Sequence, residues 1–289
     1  MKRLARNRNR HRSRRQLLRR ALRAWGTDRG WKAIAALQLS ASPSLLALVH
    51  SLCASPSWWR RALGLYVASQ LQRPRPAGDA LGPVAYAMEA TQALLLAGLH
   101  DPHGEVVCAA VSGLGHRPHP EALATLVDLA GHADSGTRWD VAVAFSHYHG
   151  PAAIDALMRL AVDADPEVRD WATFGLGTQQ TVDTPQVREV LWRNLNDDDE
   201  DVRGEALVGL AARRDLRVID HLLAQLGSDC RVYQLDSAEQ LASPALLPAL
   251  RALEDGLRDS EREGYWFGRL RSAIDACSRA SPSDAQADR

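Results

Sequence analysis

Apolar residues recur at i, i+4 and i+8 in four stretches of the chain. The stripes are Val106/Ala110/Leu114, Thr137/Val141/Phe145, Val168/Ala172/Leu176 and Val202/Ala206/Leu210. That spacing lines one face of a helix of period 3.6, so each stripe predicts a helix with a single buried face. The stripes start 31, 31 and 34 residues apart, and a looser copy starting at Tyr233 adds a further step of 31. The longer step coincides with extra residues around TQQTVDTPQ (178–186). A second helix is predicted upstream of three of the stripes, from EALATLVDLAGHA, IDALMRLAVDA and VREVLWRNLN. Asp134-Ser135, Asp165-Pro166 and Asp199-Glu200 fall between the two helices of a pair, where Asp caps a helix start and Pro is tolerated in the first turn. Gly115, Gly150 and Gly177 lie where a helix is expected to stop. Each unit is therefore a helical hairpin whose apolar face can be covered only by its neighbours. The fold class this predicts is all-α, an α-α superhelix of stacked hairpins.

The same pattern, in weaker form, organises the rest of the chain. WKAIAALQL, PSLLALVHSLC and SWWRRALGLYVASQL predict three degenerate helices, as the ends of repeat arrays often show. RPRPAGDALGP (73–83) breaks helix. LLPALRALEDGL and YWFGRLRSAIDAC predict two closing helices before a polar tail. Four segments follow: a basic arm running into a helix (1–25), degenerate helical repeats and a loop (26–83), the regular repeats (84–253), and capping helices with a disordered tail (254–289).

The Asp-Pro-x-Val-Arg turn at Asp165 to Arg169 and its variants resemble HEAT repeats, in particular the short HEAT-like repeats named after phycobilisome lyases. The resemblance implies an α-solenoid whose second helices line a concave, partner-binding face. It implies little about activity.

Composition sharpens this picture in two places. The formal net charge is zero, with 35 basic and 35 acidic residues. Residues 1–25 hold 11 of the basic residues and no acid, so the remaining chain carries 24 basic against 35 acidic residues, a net charge of −11. A basic arm on an acidic body favours a basic partner for the body, with nucleic-acid binding through residues 1–25 as the alternative. The four cysteines (53, 108, 230, 277) have no paired spacing, which points to a reducing compartment such as the bacterial cytoplasm and away from disulfides or zinc. No apolar run has the length to span a membrane, so no membrane insertion is expected.

Aligned on their anchors, the second helices expose a polar row. Arg138, Arg169 and Arg203 follow the anchor, and Trp139, Asp140, Asp170, Trp171 and Glu205 come next. The arginines read first as ties between repeats. Arg138, Trp139, Asp140, Asp170, Trp171, Arg203 and Glu205 are the candidate binding residues. Trp and Asp side by side also resemble, in residue type only, the concave surface of HEAT-like DNA glycosylases that remove alkylated bases. There a Trp face attracts a cationic base and a carboxylate stabilises developing positive charge. The acidic body opposes that reading. HEAT-repeat hydroxylases hold two irons through His-Glu dipeptides, and this chain contains none. His147 and His149 have a spacing that chelates only from extended chain, and the histidines as a group fall at helix ends. NDDDED (196–201) has Val where a calcium loop needs Gly and Glu. With no phosphate loop, GxSxG or CxxC either, no catalytic residue, metal or cofactor is assigned. The expected function is a non-enzymatic binding or scaffold protein gripping a basic protein or peptide on its concave face. A HEAT-like glycosylase or other nucleic-acid binder, and a bilin-lyase-like protein, are the alternatives.

Overall fold

The structure is a computed structural model that describes residues 14–73, 83–227 and 229–279. The chain forms two compact units, residues 1–153 and 154–289. Helices make up both, and the strands among the described residues are the two-residue β1 (Gln72–Arg73) and β2 (Val84–Ala85), paired antiparallel.

In the first unit, α1 (residues 14–23), α2 (Asp28–Gln38), α3 (Pro43–Cys53) and α4 (Trp58–Ser69) precede the β1–β2 ribbon. After it come α5 (Met88–Gly98), α6 (Gly104–His116), α7 (Leu123–Leu129) and α8 (Ser135–Phe145). The second helices α2, α4, α6 and α8 pack on one another in series, while α3, α5 and α7 pack beside their partners. Helix α1 turns Ala21 fully inward and rests Leu17, Leu18 and Leu22 on the core formed with α2 to α4, joined by Trp25 in the turn that follows. Its Arg15, Arg19, Arg20 and Arg23 face solvent. Most of the basic arm, residues 1–13, and the break at 74–82 lie outside the described residues, as does the tail from residue 280.

After α9 (Pro151–Leu160), the second unit repeats the scheme with α10 (Pro166–Phe174), α11 (Pro185–Asn194), α12 (Glu200–Ala212), α13 (Val218–Leu223), α14 (Val232–Leu241), α15 (Leu247–Asp255) and α16 (Gly264–Arg279). Helices α10, α12, α14 and α16 form the packed series, with α11, α13 and α15 beside it. The two closing helices thus form one more hairpin. Helix α13 has six residues, and no element was expected between 213 and 230.

All four predicted stripes are buried: every member is fully inaccessible or within a few per cent of it. Asp134, Asp165 and Asp199 cap their helices, accepting backbone N–H groups of Thr137, Glu167 and both Asp201 and Val202. Three expectations shift. Tyr233 is not the buried anchor of the last copy. Leu235, Ala238 and Leu241 form the buried stripe, and the Tyr233 ring instead lies flat on Gly204, where an added Cβ would come within 2.2 Å of it. Gly115 does not stop its helix, since α6 runs on through His116. It lets α8 approach, a Cβ there falling 3.2 Å from the Cα of Ala144. Gly177 sits in a π-helical turn (Gly175–Gln179) and meets Gly209 of α12 backbone to backbone. Gly150, with φ of +105°, does occupy the conformation that ends a segment.

Arginines stitch the loops in a repeated way. The guanidinium of Arg61 donates to the carbonyls of Ser55 and Pro56 and forms a two-pronged pair with Asp101 of the next hairpin, at 2.6 and 2.8 Å. Arg169 does the same with the carbonyls of Asp163 and Ala164 and with Asp197, at 2.8 and 2.7 Å. A different pair of arginines closes the other end of the helices. Arg117 is only 2% exposed and donates to the carbonyls of Ser69 and Leu71 and to the Thr91 hydroxyl. Arg213, 96 residues on, donates to the carbonyls of Leu176, Gly177, Gln180 and Val182. The Gln180 and Val182 carbonyls belong to the inserted stretch that lengthens the 34-residue step. Arg188 adds a two-pronged pair with Asp183 of the same stretch, at 2.7 and 2.8 Å, so two arginines hold the insertion.

Candidate functional site

The exposed edge of each second-helix row carries the candidate residues. In the first unit the row brings Tyr66 (α4), Ser112 and His116 (α6) and Trp139 and Asp140 (α8) to one cleft of about 340 Å3, with Trp31 of α2 on its other wall. Trp31 stands edge-on to Tyr66, ring centroids 5.0 Å apart and planes at 86°, and Trp25 packs against both, at 6.1 and 5.9 Å. Gln38 steadies this wall by donating to the Tyr66 carbonyl at 2.7 Å. Burial pushes the Asp140 carboxyl up to about 7; the Cys108 thiol pulls it down by a hydrogen bond, while Glu105 and Asp134 push it further up. Tyr66 is raised by burial and by the charges of Asp140 and Glu105. His116 is held below its usual range by burial, His147 and Arg117, and its Nε2 lies 2.9 Å from the Gln70 amide.

In the second unit, Asp170 (α10) and Glu205 (α12) are pushed up to about 6 and 7. Burial is the main cause for both. Asp201, Asp199 and Glu167 add to it for Asp170; Asp170, Asp201 and Asp236 add to it for Glu205, against a hydrogen bond from Thr178. Tyr233 donates its hydroxyl to Asp201 at 3.2 Å, while Arg269 of α16 neutralises Asp236 and Glu239. Trp171 packs edge-on to Phe174 at 5.7 Å. A second cleft of about 410 Å3 opens between Arg203, Gly204, His221, Gln225 and Tyr233.

The structure therefore sorts the candidates. Asp140 and Trp139 share a cleft, and Asp170 and Glu205 share an electrostatic field. Among the described residues, no basic side chain forms an ion pair with Asp140, Asp170 or Glu205. The arginines serve the loops instead. Arg138 donates to the carbonyls of His132 and Ala133, and Arg203 to those of Asp197 and Asp198. Trp31 and Tyr66 were not anticipated as site residues, because they belong to the degenerate first hairpins, where no register could be aligned. Two histidines act as hydrogen-bond acceptors at helix starts. His119 and His132 accept, through Nδ1, the backbone N–H two residues ahead, as a capping Asp would.

A model of HEAT repeats matches residues 92–177 and 159–242, together more than half of the chain. The chain belongs to the HEAT-repeat family. This HEAT-repeat chain is 26% identical over 252 residues to protein YibA of Escherichia coli K12, covering 84% of each sequence. Its fold matches the crystal structure of E. coli YibA with a TM-score of 0.65 at 23% identity, covering 90% of this chain and 92% of the other. An engineered protein matches with a TM-score of 0.50 at 17% identity, over 90% of this chain and 78% of its own. Both structural matches speak to the fold alone. No helix among the described residues is long and apolar enough to cross a membrane.

Proposed function

We propose that this HEAT-repeat protein is a non-enzymatic binding protein of the bacterial cytoplasm that grips a basic protein or peptide on its second-helix faces. The observation that carries this reading is the set of half-buried carboxylates Asp140, Asp170 and Glu205, none of them in an ion pair and all pushed well above the ordinary carboxylate range. Elsewhere the same chain pairs its partly buried acids with arginine, as at Asp101, Asp197 and Asp215. Carboxylates left half-buried without a counter-ion cost stability, and a cationic partner recovers that cost on binding. The net charge of −11 outside residues 1–25 attracts the same kind of partner over longer range. The exposed Arg15, Arg19, Arg20 and Arg23 of α1 support the second reading, nucleic acid bound through residues 1–25.

Affinity capture from nuclease-treated host lysate separates the two. The full chain is compared with the triple variant Asp140→Asn, Asp170→Asn, Glu205→Gln, and with a charge variant that lacks residues 1–13 and carries Arg15→Gln, Arg19→Gln, Arg20→Gln and Arg23→Gln, which keeps the core residues of α1. A discrete basic protein held by the parent chain and lost from the triple variant supports the binding reading. Retention of that protein by the triple variant, or recovery only of nucleic acid that disappears in the charge variant, overturns it.

A further inference from the structure

We propose that the cleft of the first unit, walled by Trp31, Tyr66 and Trp139 with Asp140 at its side, is a receptor for a single arginine side chain of the partner. The inference rests on the binding function proposed above and gives that function its chemistry. Three observations converge on it. The cleft, about 340 Å3, is walled by aromatic rings, and Trp31, 41% exposed, is held in the wall by Trp25 and Tyr66 rather than buried behind it. Aromatic faces attract cations, and guanidinium most readily because it also stacks flat. The carboxylate beside the rings belongs to no ion pair, and the groups that bear on it are Glu105 and Cys108 from α6 and Asp134, the cap of α8, none of them cationic. Tyr66 of α4 shares that negative field, and burial lowers the pKa of His116. A guanidinium would restore the charge that burial takes from Asp140.

The chain itself shows how such a set of groups is used. In the second unit the guanidinium of Arg217 lies 4.7 Å over the Trp192 ring while it pairs with Asp215 at 2.6 Å. The first-unit cleft brings the same two groups together, an indole ring and an Asp carboxylate. Lysine is a poorer occupant: its ammonium is a strongly hydrated point charge that can neither stack nor fork onto a carboxylate.

The test is a titration of the 15N-labelled full chain with N-acetyl-arginine methylamide, following the tryptophan indole N–H resonances. Trp31→Phe and Trp139→Phe variants assign the two signals. The indoles of Trp31 and Trp139 are expected to shift with a Kd of about 1–50 mM, the range that one cation–π contact and one charge-assisted pair support. The neutral citrulline counterpart should bind at least about tenfold more weakly, as should the arginine compound to Asp140→Asn. The Trp192 indole should not move. Static Trp31 and Trp139 signals, or an equal response to citrulline, overturn the proposal. So does a response to 7-methylguanosine in place of the arginine compound, which would make the cleft a base-binding site. If the arginine compound fails while a basic protein is still captured through the acidic residues, this inference falls and the binding function stands.

Discussion

Replacing Arg117 by Met tests how this fold treats a buried charge. The side chain is 2% exposed and has no carboxylate partner. Its guanidinium donates to the Ser69 carbonyl at 2.7 Å, the Leu71 carbonyl at 2.6 Å and the Thr91 hydroxyl at 2.8 Å, with a longer contact to the Tyr86 carbonyl at 3.4 Å. Two effects oppose each other. Removing a buried, unpaired charge relieves a desolvation cost of several kcal/mol, and burial indeed lowers the pKa of this arginine. Against that, the acceptors lose a charged donor, worth about 1.5–3 kcal/mol per bond. Leu71 keeps the backbone N–H of Tyr86 at 2.8 Å, and the Thr91 hydroxyl can still donate to Ala87 or Met88. Ser69, at the end of α4, keeps no such partner, and an orphaned buried carbonyl costs about 1–3 kcal/mol. The carbonyls also form the negative end of α4, which favours a cation there. The acceptor side wins on this count, and Arg117→Met is expected to destabilise the protein by about 2–4 kcal/mol. At about 2–4 °C per kcal/mol for a unit of this size, a loss near 3 kcal/mol lowers Tm by about 6–12 °C. Arg117→Lys should fall between, because a tetrahedral ammonium cannot reach three acceptors set around a planar fork. Urea denaturation gives the energies, and hydrogen exchange should show the loss centred on residues 69–73 and 84–91. An unchanged or raised stability in Arg117→Met would refute the reasoning and show that desolvation, not acceptor satisfaction, governs this site.

Asp140 and Glu205 titrate higher in the folded chain, at about 7, than in the unfolded one, so the native state holds extra protons between about pH 4 and 7 and loses stability as pH rises through that window. Asp140→Asn with Glu205→Gln should therefore raise the unfolding free energy from urea denaturation at pH 8, by about 1–2 kcal/mol after allowing for solvent screening, and change it little at pH 5. Gly209→Val places side-chain atoms against the Gly177 backbone, where even a Cβ stands 2.6 Å from Cα, and should cost about 1–3 kcal/mol, whereas Gly104→Ala, with nothing within 4 Å, should be neutral or slightly stabilising in the same denaturation assay. A double-mutant cycle on Arg169 and Asp197 should return a coupling of about 1 kcal/mol, because the pair is two-pronged and mostly shielded. Burial pushes the Cys53 and Cys230 thiols up to about 12 and those of Cys108 and Cys277 to about 11, so labelling by a thiol reagent at pH 8 should be slow and should track unfolding.

The sequence by itself determined the hairpin, its stripe and its caps. Val168/Ala172/Leu176 and Asp165 could be read without a structure because helix period and N-capping are local: they depend on residues a few positions apart. For the same reason Asp140, Asp170 and Glu205 could be placed on the polar side of the second helices. Their unpaired state could not, since it depends on which arginines reach which loops, and Arg61, Arg169 and Arg203 turn to carbonyls and loop aspartates instead. The displaced anchor at Tyr233, the close approaches at Gly115 and Gly177 and the burial of Arg117 are all set by a neighbouring element that local periodicity does not see. The cleft of Trp31, Tyr66, Trp139 and Asp140 is the clearest case. Its walls come from positions 31 to 140 and meet only because second helices pack on second helices. Local pattern decides which face of a helix is buried; only packing decides which side chains then meet on the face left open.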